Sequence, residues 1–155
     1  MPAARTIDSV LKKLRKHPSA ETHRGATDDE LRYFAKISGR KLPASYTTFL
    51  KEVGFADLGS DTIYGLGPDA TKATSVLENM VTESTMANPP MLSYLIPLMN
   101  DGAGNHYCLD TRRIKAGDCP VVLWVHDDPL QELQKPERVA SSFCKWLDKL
   151  LDETP

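Results

Sequence analysis

The sequence of 155 residues lacks the features that mark membrane, secreted and disordered proteins. It has no run approaching the roughly 18 apolar residues that a membrane helix needs, and no apolar N-terminal stretch followed by a small-residue cleavage site. Hydrophobic residues make up 41% of the chain and charged residues 26%, which is ordinary for a folded protein. We therefore expect a folded cytoplasmic protein.

Cysteine is also scarce. Cys108, Cys119 and Cys144 are odd in number and widely spaced, so they fit neither a disulfide framework nor the paired cysteines of a zinc site. We expect buried, reduced thiols, and neither a metal ion nor another cofactor.

Familiar catalytic motifs are absent: the sequence contains no G-x-S-x-G, Walker loop, H-E-x-x-H or dinucleotide fingerprint. An enzyme would have to use His106 and His126 with the aspartates near them. Asp101 lies in a glycine-rich turn, where a carboxylate typically bonds its own backbone, and both histidines flank apolar strands. A hydrolase that uses this histidine and aspartate cluster is therefore the third-ranked hypothesis.

Charge is small overall but uneven along the chain. The net charge is −2, which does not favour direct binding of nucleic acid or a membrane. Residues 1–26 hold six basic and two acidic side chains, a net +4, whereas residues 55–93 hold five carboxylates and one lysine, a net −4. The sequence predicts a basic end and an acidic middle.

Three apolar runs between residues 95 and 126 predict the central strands of a sheet. Pro97 suits a strand edge or a bulge, because it cannot donate to the ladder. The run from Val121 to His126 lacks clean alternation, which predicts burial on both faces. Short apolar pieces at residues 55–66 predict a hairpin, and Tyr64 within them is expected at the surface, whereas Trp124 and Trp146 are expected in the core.

Apolar residues at helical spacing predict helices around that sheet. The second helix should bury Leu31, Phe34, Ala35 and Ile37, and residues 19–26 before it should form a loop. The predicted helices are one at about residues 6–17, one capped by Thr27 and closed by Gly39, one from Pro43 to Gly54, one from near Thr71 to before Asn88, and one that begins at Glu137. No linker-like break appears, so we expect a single domain over residues 1–155.

Several short segments, taken in order, give the chain a family likeness. They are Leu42-Pro43 with Tyr46, Phe49 and Leu50 ahead of Gly54, then Ile63 to Leu66, Leu95 to Leu98, Asp101 to Asn105, Tyr107 to Asp110, Val121 to Trp124, His126-Asp127, and Ser142-Phe143 with Trp146-Leu147. In this order the sequence resembles the SUKH superfamily of the Smi and Knr type. It departs from the pattern at Gly54-Phe55, where a Gly-Gly pair is frequent, and at Val125, which separates Trp124 from His126.

The resemblance implies an α+β fold with a central, mainly antiparallel or mixed β-sheet and helices packed around it. It also implies a non-catalytic role, since bacterial members typically bind and neutralise a cognate toxin. The sequence thus predicts a non-enzymatic immunity protein whose partner is a toxin, with a nuclease as one option. A regulatory or scaffold domain, as in the fungal cell-wall regulators of the family, is the alternative.

Charge suggests which residues contact the partner. A nuclease presents a positive groove to its substrate, and carboxylates on an inhibitor can imitate phosphates there. Tyrosine is favoured in binding hot spots. The predicted contact residues are Asp57, Asp61, Tyr64, Asp69, Glu83, Asp127 and Asp128. The sequence leaves the oligomeric state open.

Overall fold

The computed structural model describes residues 6–127 and 136–155. Within these ranges the chain is an α+β domain with five α-helices and two antiparallel sheets, so the predicted fold class is confirmed. In chain order the elements are α1 (Ile7–Lys16), β1 (Ala20–Thr22), α2 (Asp28–Ser38), α3 (Ala44–Val53), β2 (Ala56–Leu58), β3 (Asp61–Ile63), α4 (Val76–Thr85), β4 (Leu95–Asn100), β5 (His106–Asp110), a 3-10 turn (Thr111–Arg113), β6 (Val121–Trp124), β7 (Glu137–Ala140) and α5 (Phe143–Glu153).

The strands form two sheets rather than one. The small sheet has the order β1-β2-β3 and the large sheet the order β4-β5-β6-β7. β2 and β3 are the hairpin predicted at residues 55–66. A backbone hydrogen bond of 2.7 Å from Tyr64 N to Leu98 O joins the end of the small sheet to the large one.

Strand β6 of the large sheet is buried on both faces, as predicted from its continuous apolar run. On central strand β6, Val121 belongs to the main core, whereas Val122 and Trp124 belong to a second cluster. That second face is covered by the irregular segment before β4, which contributes Met91, and not by a helix. Pro97 lies on edge strand β4 beside a shift in register, where its missing N–H costs no ladder bond.

Three local predictions are wrong. Residues 137–140 form β7, and the last helix begins only at Phe143, where Ser142 Oγ accepts a hydrogen bond of 3.0 Å from Lys145 N. Residues 20–22, expected in a loop, form β1. α4 also begins later than Thr71, at Val76. Strands of three or four mixed residues are too short to carry a recognisable period.

The helix caps form as predicted. Thr27 and Glu30 make both bonds of a capping box, and Gly39 and Gly54 close α2 and α3 with φ angles of 64° and 72°. On α3, Tyr46, Phe49, Leu50 and Val53 fall at helical spacing and are all buried. On α2, however, only Phe34 is fully buried. Ala35 and Ile37 are exposed, which contradicts their predicted burial; within residues 6–127 and 136–155, no element packs over that side of the helix.

The N-terminal helix packs against the C-terminal one. Val10, Leu11 and Leu14 of α1 are buried in the main core together with Leu147 of α5. Lys13 Nζ lies 2.7 Å from Asp148 Oδ1 at the margin of this contact. Helices α1 and α5, which are far apart in the sequence, thus pack against each other in the main core.

The three cysteines are buried thiols, as expected. Trp124 and Trp146 lie in the core at 0% and 6% exposure, which confirms their predicted packing role. In the described part of the chain, no helix is both long enough and apolar enough to cross a membrane.

Candidate partner-binding surface

The described carboxylates among the predicted contact residues lie on separate parts of the fold, and two of them are engaged within the chain. Asp57 on β2 has its Oδ2 2.9 Å from His23 Nε2. Asp69 accepts hydrogen bonds from the backbone and the guanidinium of Arg24, the shortest at 2.6 Å. The Arg24 side chain lowers the pKa of Asp69 to about 2. Asp69 therefore presents little uncompensated charge to a partner.

Tyr64 is buried at 6% exposure, so its predicted place at the surface is wrong. Its hydroxyl lies 3.2 Å from His106 Nε2, and burial raises the pKa of Tyr64 to about 12. The side chain turns inward because the end of the small sheet is tied to β4. Asp61, in contrast, is exposed, and with Asn100 and Gly102 it lines a cavity of about 240 Å³.

Glu83 and Asp127 lie at the same end of the large sheet. Glu83 on α4 is half-buried, and burial raises its pKa, while the nearby His126 opposes that rise. Asp127 follows His126 in the chain and is exposed. Asp128, the last of the predicted contacts, lies outside the described residues.

The histidine and aspartate cluster serves the turn between β4 and β5. Asp101 Oδ1 accepts hydrogen bonds from the backbone N–H groups of Ala103 and Asn105, at 2.8 and 3.1 Å, and Oδ2 accepts one from Asn105 Nδ2 at 2.9 Å. This confirms the turn interpretation of Asp101. His106 is 1% exposed, and burial lowers its pKa to about 4. It is thus a buried, neutral ring and not an accessible base.

Asp110 is also engaged within the chain. Its Oδ1 accepts hydrogen bonds of 3.2 Å from the backbone and from Nε of Arg112. The Arg112 guanidinium in turn lies 3.7 Å from the centre of the Tyr94 ring. Asp110 is 3% exposed and fixes the 3-10 turn after β5. Asp101 and Asp110 therefore hold backbone turns, whereas Asp127 beside His126 is exposed.

An apolar groove lies between α2 and α4, and it was not predicted from the sequence. Among the described residues, the large apolar side chains that remain exposed are Tyr33 at 59%, Ile37 at 50%, Val81 at 42% and Met86 at 79%. The first two lie on α2, Val81 lies on α4, and Met86 caps α4. These side chains do not serve the core.

Two neighbouring cavities make up this groove. One of about 410 Å³ lies between Tyr33 and Leu77, and one of about 320 Å³ lies between Ile37 and Val81. Tyr33 and Ile37 are four residues apart on α2, as are Leu77 and Val81 on α4, so each pair lies along one helix face. We call this surface the α2–α4 groove; its apolar lining is Tyr33, Phe34, Ile37, Leu77, Met80 and Val81.

Charged residues of both signs lie at the margin of the α2–α4 groove. Asp29 and Glu30 line its first cavity, and Arg40 lines its second. Asp29 is paired with Arg32 on the same helix. A sequence signal for the groove did exist, because α2 has more apolar residues than one buried stripe needs. Tyr33 and Ile37 form a second row beside Phe34.

Two antiparallel sheets with helices packed around them define an α+β domain, and the sequence places that domain in a family. The family model SUKH_5, described as SMI1-KNR4 cell-wall, matches residues 7–152. The chain therefore belongs to this SUKH family, whose members are generally non-catalytic. Among curated proteins, none matches the chain.

Proposed function

We propose that this protein is a non-enzymatic immunity protein that binds and neutralises a cognate toxin in the bacterial cytoplasm. Family membership supports the class of function, because many bacterial proteins of the SUKH type are toxin inhibitors. The observation that carries the proposal is the α2–α4 groove, where apolar side chains are exposed that the fold itself does not use.

The composition of the groove suits the centre of a protein interface. Fully buried interface cores are apolar and enriched in aromatic residues, and the surrounding rim is polar. Tyr33 would supply an aromatic anchor, and Ile37 and Val81 would supply apolar area beside it. A standard interface covers roughly 800 Å² on each partner, so the contact would extend beyond the groove to residues around it.

Carboxylates outside the groove would guide the encounter with a basic toxin surface. Asp61, Glu83 and Asp127 make no ion pair with any described residue, so their charge is available to a partner. Opposite charges speed association and make it dependent on salt. Asp57 and Asp69 would contribute less, because His23 and Arg24 already pair with them.

Cell survival tests the groove. The protein is first purified together with its partner from source cells, which identifies the toxin. The toxin is then expressed in test cells together with wild-type protein, with the Tyr33→Ala variant or with the Ile37→Asp variant. We expect wild-type protein to protect the cells and both variants to protect poorly, with melting temperatures near that of wild type. Lys12→Asp, which changes an exposed residue of α1, is the matched control. Full protection by both groove variants would refute the groove as the contact surface.

Association kinetics test the role of charge separately. Asp61→Lys, Glu83→Lys and Asp127→Lys should each slow binding to the purified toxin by about 3- to 10-fold at low salt and weaken the salt dependence. Asp69→Asn should change the rate less, because Arg24 already neutralises this carboxylate. Unchanged rates in all three reversal variants would exclude electrostatic guidance. A purified partner that is not a toxin would favour the regulatory alternative.

A further inference from the structure

We propose that Glu21, His23 and Asp57 form a binding site for one divalent transition-metal ion, with Zn²⁺ as the representative ion. The site lies on the small sheet, away from the α2–α4 groove. One ligand atom from each residue lies within 4.8 Å of the other two. Neither the family assignment nor the proposed toxin binding assigns a metal ion to these residues.

Strand pairing brings the three side chains together. Glu21 on β1 lies directly opposite Asp57 on β2. His23 follows two positions after Glu21, and residues two apart along an extended chain point to the same side of a sheet. The backbone N–H of His23 donates a hydrogen bond of 3.1 Å to Val53 O, which fixes the chain beyond the end of β1.

The carboxylates of Glu21 and Asp57 repel each other, and a bound cation would relieve that repulsion. Like charges directly opposite each other on neighbouring antiparallel strands repel and destabilise the pairing. His23 contacts Asp57 at 2.9 Å, whereas Glu21 is exposed and has no ion pair with a described residue. A divalent cation between the strands would convert the repulsion into a shared attraction and would link β1 to β2.

Two of the three ligands are already held in place. The His23 ring stacks on Phe55, with 3.8 Å between ring centres and 11° between planes. Thr62 Oγ1 donates a hydrogen bond of 2.9 Å to Asp57 Oδ1, which leaves Oδ2 directed at His23. Outer partners of this kind orient metal ligands and raise affinity.

The separation of His23 Nε2 and Asp57 Oδ2, 2.9 Å, also suits a shared ion. Two ligands with bonds of about 2.0–2.1 Å to one metal ion lie roughly 2.9–3.4 Å apart, depending on geometry. In the bound state, the Nε2 lone pair would face the ion and the ring hydrogen would reside on Nδ1. Only the exposed Glu21 side chain would need to move inward.

The donor set selects the kind of ion. Imidazole suits Zn²⁺, Cu²⁺ and Ni²⁺, whereas Ca²⁺ and Mg²⁺ prefer sites made only of oxygen. Three protein ligands leave at least one position for water. We therefore expect Zn²⁺ to bind and Ca²⁺ not to bind.

Calorimetry and thermal melting of the full-length protein with Zn²⁺ test the site. Wild type should bind one Zn²⁺ and melt at a higher temperature with the ion, because the ion binds only the folded state. His23→Gln and Asp57→Asn should lower the affinity at least about tenfold, and Thr62→Val about tenfold. His126→Gln, which changes a histidine outside the site, should leave Zn²⁺ binding unchanged.

Glu21→Gln gives a test that does not depend on loss of folding. Without metal this variant should melt at a higher temperature than wild type, because the repulsion with Asp57 is gone; with Zn²⁺ that order should reverse. The proposal is overturned if wild type shows no saturable binding. It is equally overturned if His23→Gln or Glu21→Gln binds Zn²⁺ as tightly as wild type.

Discussion

Mild acid should destabilise this protein through one buried side chain, His106. The ring is 1% exposed and lies between Tyr64 and Trp124. Burial lowers the pKa of His106 from 6.5 to about 4; the nearby Asp101 opposes this shift and His126 adds to it. The Nδ1 atom of His106 has no hydrogen-bond partner among the described residues, so no hydrogen bond at Nδ1 stabilises the doubly protonated, charged ring.

The size of the effect follows from the two pKa values of His106. Above pH 6.5 the ring is neutral in the folded and unfolded chains, and the folded state keeps its full stability. Between pH 6.5 and about 4 only the unfolded chain takes up the proton, so the free energy of unfolding falls as the pH falls. The difference of about 2.5 pKa units corresponds to a total loss of about 3 kcal/mol, which is a large share of the roughly 5–15 kcal/mol that stabilises a typical domain.

Urea unfolding of wild type and of His106→Phe, near pH 7 and near pH 4.5, tests this reasoning. Wild type should lose about 2 kcal/mol more than the variant between these two conditions. At neutral pH the variant should be about 1 kcal/mol less stable, because it lacks the hydrogen bond with Tyr64. His126→Gln should reduce the pH dependence only slightly, because burial and not His126 is the main cause of the lowered His106 pKa. Equal pH dependence in wild type and His106→Phe would refute the assignment to His106.

Three further substitutions test the packing. Asp118→Asn should cost about 1–2 kcal/mol in urea unfolding, because the carboxylate accepts a hydrogen bond of 2.8 Å from Phe143 N at the start of α5. Gly65→Ala should lower the melting temperature severely or prevent folding, because a Cβ there would lie 1.7 Å from Gly54 O. Thr27→Ala should cost about 1 kcal/mol in urea unfolding through loss of the capping box on α2.

Two control variants distinguish these specific structural effects from nonspecific loss of stability. A Cβ at Gly59 would meet no atom within 4 Å, so Gly59→Ala should cost only the strain of its φ angle of 65°, about 1–2 kcal/mol. Thr48→Ala, in α3, removes a hydroxyl that bonds only Ala44 O of its own helix and should be close to neutral. If Gly65→Ala unfolds no more readily than Gly59→Ala, the close contact between residue 65 and Gly54 O does not limit stability.

Elements with a long, regular pattern could be predicted from sequence. In α3, Tyr46, Phe49, Leu50 and Val53 repeat at helical spacing and all are buried. β7 could not be found this way, because Glu137–Ala140 is short and mostly exposed and owes its extended form to pairing with β6. The extended structure of β7 therefore depends on its pairing with β6 and not on a pattern within its own residues.

The candidate contact surface was harder to predict, because a sequence gives the number of charged residues but not which of them pair with one another. Asp69 contributes to the acidic balance of residues 55–93, yet it is bound to Arg24, which lies outside that range. Ile37 has helical spacing from Phe34 and so resembles a core residue. Its exposure depends on which element packs over α2, and that is fixed only when the whole domain assembles.

The contact between α1 and α5 has a consequence for the growing chain. Lys13 and Asp148, which meet at its margin, are 135 residues apart, so one of the first helices to be made packs against the last one. Part of the apolar stripe of α1 stays uncovered until residues 143–153 have left the ribosome. The core between α1 and α5 can therefore close only after α5 has been synthesised.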